Sequence, residues 1–151
     1  TINFDPIGWA GAKLDLSGEM TRSRVKDPLT GEPRPISGIT DYSWSMDLRH
    51  DIPRSDLAWG AGLNGNHNTK NYYLDEVSRE WEGPVWGSLF IEHKNVFGMT
   101  VQASVRNILD GRHIWNRAVY AGFRDRTPLL FTQRQKQLIG PIFYLSIKGN
   151  F

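Results

Sequence analysis

Residues 8–21 read GWAGAKLDLSGEMT, and their alternation decides the fold class. Ala10, Ala12, Leu14, Leu16, Gly18 and Met20 share one parity, while Lys13, Asp15, Ser17, Glu19 and Thr21 share the other. A period of two is the signature of an extended strand, because successive side chains leave a strand on opposite sides. One side here is apolar and small, and the other is charged.

The same pattern recurs down the chain. In ITDYSWSMDLRH (39–50), Tyr42, Trp44, Met46 and Leu48 oppose Asp41, Ser43, Ser45, Asp47 and Arg49. LAWGAGLNGN (57–66) puts Leu57, Trp59, Ala61 and Leu63 on one face. PVWGSLFIEH (84–93) sets Val85, Gly87, Leu89 and Ile91 against Trp86, Ser88, Phe90 and Glu92. MTVQASVRN (99–107) sets Met99, Val101, Ala103 and Val105 against Thr100, Gln102, Ser104 and Arg106. GPIFYLSIKGNF (140–151) closes the chain, with Phe143, Leu145, Ile147 and Phe151 on one parity and Tyr144, Ser146 and Lys148 on the other. Long stretches of helical periodicity are missing, so the expected class is all-β, an antiparallel up-and-down meander of about six long strands.

The connections alternate in length. KDPLTGEPRPISG (26–38) is rich in Pro, Gly and Asp and reads as a long loop. Residues 51–56 and 94–98 read as short turns, while 66–83 and 120–137 read as further long loops. Short turns at one end and long loops at the other are the organisation of a transmembrane β-barrel, whose strands need roughly 9–11 residues to cross at a tilt. Soluble strands average about 5–6 residues. Aromatic residues fall near both ends of the apolar runs: Trp9, Trp59, Phe97 and Phe151 on the short-turn side, and Tyr72, Tyr73, Trp81, Trp86, Trp115 and Tyr120 toward the long loops. A membrane–water interface favours such belts. The rival reading is a soluble β-barrel or sandwich that turns its apolar face inward and binds a small ligand or glycan.

Composition is compatible with a barrel. Hydrophobic residues make up 39% of the 151 residues, and a polar lumen keeps average hydropathy low. The net charge of +2 is too small, and its charges too scattered, to argue for nucleic acid. With no cysteine there are no disulfides, thiolate metal sites or Cys nucleophile. No run of 18 apolar residues predicts a transmembrane helix.

Three motifs tempt a catalytic or ligand reading. GAGLNG (60–65) fits the dinucleotide spacing, but a polar loop rather than a helix pattern follows it. Gly60 and Gly62 are better read as room for a close neighbour on the polar side of a strand. His50 and His93 fall at the short-turn end of neighbouring hairpins, without metal-ligand spacing. The carboxylates Asp15, Glu19, Asp41, Asp47 and Glu92 share the polar face with Lys13, Arg49, Arg106 and Lys148. Paired carboxylates can do acid–base work, but a solvated wall of mixed charge needs no such role. No cofactor, metal or covalent chemistry is expected.

VQASVRNILDGRH (101–113), followed by a long segment and a terminal alternating strand, resembles the C-terminal end of a TonB-dependent outer-membrane receptor. RNILDGR (106–112) is similar to that family's Asn-Leu-(Leu/Phe)-Asp box, with Ile108 and Leu109 in the two apolar positions. The hairpin-like stretches 26–38 and 50–62 are also similar to the family, so the resemblance spans nearly the whole chain, and residues 1–151 are expected to form the C-terminal portion of a receptor barrel. The family implies a barrel of about 22 strands with a plug domain and a TonB box, of which only the last six or so strands are matched. It implies the cell outer membrane as location and energised uptake of a scarce ligand, such as a siderophore, as the parent's function. The expected partners are outer-membrane lipid, the remaining barrel and plug, the TonB complex through the parent, and the barrel assembly machinery. Phe143, Leu145, Ile147 and Phe151 resemble the terminal signal read by that machinery. Lys13, Asp15, Glu19, Asp41, Asp47, Arg49, Glu92, Arg106 and Lys148 are expected to face the lumen.

Overall fold

The computed structural model describes residues 1–149. In chain order the strands are β1 (Ile2–Asn3), β2 (Ala12–Met20), β3 (Val25–Lys26), β4 (Pro33–Arg34), β5 (Tyr42–Asp51), β6 (Leu57–His67), β7 (Thr69–Tyr72), β8 (Glu76–Gly83), β9 (Trp86–Val96), β10 (Met99–Arg106), β11 (Arg112–Tyr120), β12 (Leu129–Gln137) and β13 (Ile142–Lys148). A 3-10 turn over Asp5–Ile7 separates β1 from β2.

The principal sheet has the order β1-β2-β5-β6-β9-β10-β13, with every pair antiparallel. Apart from the two-residue β1, this sheet holds the six strands expected, each pairing with the next member of the same sheet. The tightest turn is two residues, Phe97 and Gly98, between the paired Val96 and Met99. Both have positive φ, 53° and 81°, which matches the right-handed twist of the flanking strands.

Register aligns the two parities across all six strands. Leu14, Leu48, Ala61, Leu89, Val105 and Phe143 form one transverse row. Ala12, His50, Trp59, Ile91, Ala103 and Leu145 form the next row on the same face. The opposite face carries Lys13, Arg49, Gly60, Phe90, Ser104 and Tyr144 in one row, and Asp15, Asp47, Gly62, Ser88, Arg106 and Ile142 in another. A slip of one residue in any pair would mix the faces, so this agreement specifies the register.

The apolar face has no second layer over it among the described residues. Substantial contacts between strands run between hydrogen-bonded neighbours, β6 against β8 excepted. Ala12 and Ala58 are the buried apolar residues, whereas Leu89, Ile91, Phe143, Leu145 and Ile147 all stand exposed. The accessible surface is 10183 Å², against about 7,800 Å² expected of a compact monomer of this mass. The excess is the uncovered sheet.

The long connections differ from expectation. Residues 66–83 are not a loop: β7 and β8 pair with each other as an extension of the β6/β9 hairpin. Residues 120–137 contain β12, which pairs with β11, and β11 in turn pairs with β8. The result is a four-stranded sheet, β12-β11-β8-β7, at the long-loop end. Its strands escaped the period-two reading because neither face is uniformly apolar. Trp81 lies opposite Ile114 on one face, yet Ile114 lies opposite Lys136; on the other face Val119 meets Phe131 on one side and Glu76 on the other. Within 26–38, β3 and β4 form a small hairpin.

Candidate functional site: the polar face and the clasped long connections

Of the residues expected on the polar face, Lys13, Asp15, Glu19, Asp47, Arg49, Glu92, Arg106 and Lys148 share one side of the principal sheet by register. Asp41 precedes β5 rather than lying in it; its carboxylate accepts from Asn68 Nδ2 and its carbonyl accepts from the Thr21 N–H at 3.0 Å. Asp15 and Asp47 stand opposite each other, and Asp15 accepts from the Thr1 hydroxyl.

The sheet brings Arg49 and Glu92 together. Arg49 Nη2 donates to Glu92 Oε1 at 2.6 Å and to Asp51 Oδ1 at 2.9 Å, and Lys94 Nζ approaches Asp51 at 2.7 Å. Two cations and two carboxylates thus balance near the short turns. The Arg49 guanidinium also lies 5.5 Å from the Phe90 ring centroid. Asp51 and Lys94 were not singled out from the sequence, because each sits where a strand runs into a turn. Further along the face, Asp47, Asn64, Trp86, Ser88, Arg106 and Tyr144 line a hollow of about 420 Å³. Arg106 lies 4.9 Å from the Tyr144 ring centroid. This surface offers charged and hydroxyl groups for a polar ligand or a second polypeptide.

The histidines have other partners. Trp59 Nε1 donates to His50 Nδ1 at 3.1 Å, which leaves His50 Nε2 to donate to Ala10 O at 3.2 Å. Trp9 lies 5.5 Å from the His50 ring and 5.5 Å from Phe4, so an aromatic cluster occupies the short-turn end. His93 Nδ1 accepts from the Asn95 N–H. Among the described residues no cluster of His, Asp and Glu has metal-holding geometry.

Asn107, in RNILDGR, joins the two sheets. It is buried, has φ of 58°, and its Nδ2 donates to Gly111 O at 3.0 Å and Gly140 O at 3.1 Å. It thereby fastens the link between β10 and β11 to the link between β12 and β13. Ile108 and Leu109 fold over Gly87, where any side chain would collide with both.

The densest polar contact lies at the long-loop end. Asp27 is 2% exposed. Its Oδ1 accepts from the Leu29 and Thr30 N–H groups, and its Oδ2 accepts from Arg34 Nε at 2.6 Å and from Arg124 Nη2. Burial works against the Asp27 charge, but the hydrogen bonds from Arg124, the two backbone amides and Arg34 outweigh it and hold the carboxyl well below the usual carboxylate range. Both guanidiniums flank Tyr72, at 4.6 Å for Arg34 and 5.7 Å for Arg124. Arg124 Nε donates to Tyr73 O, and the Tyr72 N–H donates to Ser37 Oγ. This clasp was missed in the sequence; the one local signal was Asp27 followed by Pro-Leu-Thr-Gly, an aspartate-headed turn.

The expected assembly-signal residues Phe143, Leu145 and Ile147 project together from β13, 79%, 69% and 57% exposed. All three share one face of β13, the last strand in the order of the principal sheet. Phe151 lies outside the described residues. No family model, curated protein or solved structure matches the chain.

Proposed function

We propose that this chain is the C-terminal barrel-wall segment of a TonB-dependent outer-membrane receptor whose parent takes up a scarce ligand. The observation that carries this reading is the transverse register, which assembles an uncovered apolar face and a charged face from six antiparallel strands of one sheet. A soluble sandwich covers such a face with a second sheet. Lipid covers it here, and the aromatic cluster of Phe4, Trp9, His50 and Trp59 sits at one interface.

The polar face lines the lumen beside the plug. TonB pulls on the plug, and the wall must hold while the plug shifts. The Arg49–Glu92–Asp51–Lys94 network braces β5 to β9 across β6. The free edge of β13 offers unpaired backbone groups to the assembly machinery, with Phe143, Leu145 and Ile147 read by parity. Partition is the test. The chain should fractionate with outer membranes and require detergent for extraction. A monodisperse monomer in detergent-free buffer overturns the reading.

A further inference from the structure

The three connections at the long-loop end lie far apart in sequence, yet one buried carboxylate holds all of them. Asp27 belongs to the β3–β4 connection, Tyr72 ends β7 and Tyr73 opens the β7–β8 connection, and Arg124 belongs to the β11–β12 connection. Asp27 takes a hydrogen bond from Arg124, 97 residues away. Arg124 also binds the second connection twice: its Nε donates to Tyr73 O at 3.0 Å and its N–H to Leu74 O at 2.9 Å. Tyr72 is held between the two guanidiniums.

We propose that these connections form one cap that opens and closes as a unit, with Asp27 as its release. The argument is one of shared partners. Arg34 and Arg124 meet on the same carboxylate oxygen, so neither keeps its charge compensated when Asp27 leaves. Arg34 is 17% exposed and Arg124 only 9%, and an uncompensated guanidinium at that burial is costly. Loss of Asp27 therefore frees Arg124, and loss of Arg124 frees the backbone of the second connection. Groups that share partners in this way open cooperatively rather than singly.

The surroundings suit a moving cap. Tyr73 and Leu74 in the second connection and Phe123 in the third are exposed apolar groups that a ligand could touch. Below it, β11 is paired on both sides, by β8 and β12, so the cap has a firm base. A ligand that displaces any one of the three connections would loosen the other two.

Amide hydrogen exchange tests this on the full chain with two variants made from opposite ends of the clasp. Asp27→Asn keeps an oxygen for the Leu29 and Thr30 amides but removes the charge. It should speed exchange at the Tyr73 and Arg124 amides about tenfold or more. Arg124→Gln should speed exchange at the Leu29 and Thr30 amides, which it does not touch. The amides of β6 and β9 serve as internal reference and should keep their wild-type rates. Acceleration confined to the connection that carries each substitution overturns the proposal. So does equal acceleration in β6 and β9, since the cap would then have no separate opening. The same amides can be followed in micelles or in aqueous buffer, so failure of the membrane reading would leave this test standing.

Discussion

Arg49 on β5 donates to Glu92 on β9 at 2.6 Å, across the full width of the intervening β6. Beside that span, position 60 of β6 carries no side chain. A Cβ there would run into the Phe90 ring and the Leu48 carbonyl oxygen. Gly60→Ala should therefore cost about 1–3 kcal/mol, the range for overfilling a tight site. At Gly18, on β2 beyond its short pairing with β1, a Cβ meets nothing within 4 Å. Gly18→Ala should be neutral or slightly stabilising. Thermal melting of both variants checks the contrast, and equal melting points would contradict it.

Strand parity makes a second contrast. Arg at Val101 or Leu145, on the apolar face, should cost roughly 2–4 kcal/mol near mid-bilayer. Arg at Gln102 or Ser146, one residue along the same strands, should cost little. Folding equilibria in lipid vesicles measure the difference. Equal costs at the two parities would refute the facing.

Asn107 offers a third. Asn107→Asp keeps the shape but withdraws both N–H donors from Gly111 O and Gly140 O. Leaving one buried and one half-buried acceptor unpaired should cost roughly 2–4 kcal/mol in total. The loss should show as a lower melting point and faster exchange in 108–114 and 138–143. Asn107→Gly, which accepts the positive φ but also lacks the donors, should not restore it.

Acid should weaken the clasp in a defined direction. The folded Asp27 carboxyl is held below its ordinary value of 3.8. Its contribution is therefore fully present above that value and is lost as pH falls below it toward the folded value. The melting-point difference between wild type and Asp27→Asn should stay level from pH 8 to about pH 5 and shrink below about pH 4. A difference that vanishes near neutrality would show that the charge is not what holds the connections.

The principal sheet was legible because one physical demand, an apolar side and a polar side, is written in every second residue. Leu14, Leu48, Leu89 and Phe143 each sit within such a run, and register then aligns them in one row. β7, β8 and β12 fall within stretches that read as loops, and β11 within a segment with no clear period, because both faces of these strands carry polar groups and alternation has no contrast to show. The polar face was foreseen in composition but not in its contacts: Arg49 and Glu92 lie 43 residues apart and meet only after β6 is placed between them. The clasp was least visible. Asp27, Arg34, Tyr72 and Arg124 have no common period, and only the pairing of β7 with β8 and of β8 with β11 brings them together.

The uncovered face has a consequence for the newly made chain. Exposed side chains such as Phe143, Leu145, Ile147 and Ile91 would meet water throughout any aqueous passage before the sheet reaches its final surroundings. Among the described residues, two buried alanines give the chain almost no interior in which to hide them. Folding early would expose the face, and waiting unfolded would expose the same residues to other copies. On the proposed membrane reading, such a chain would need an escort that holds its apolar residues out of water and gives them up only at the destination.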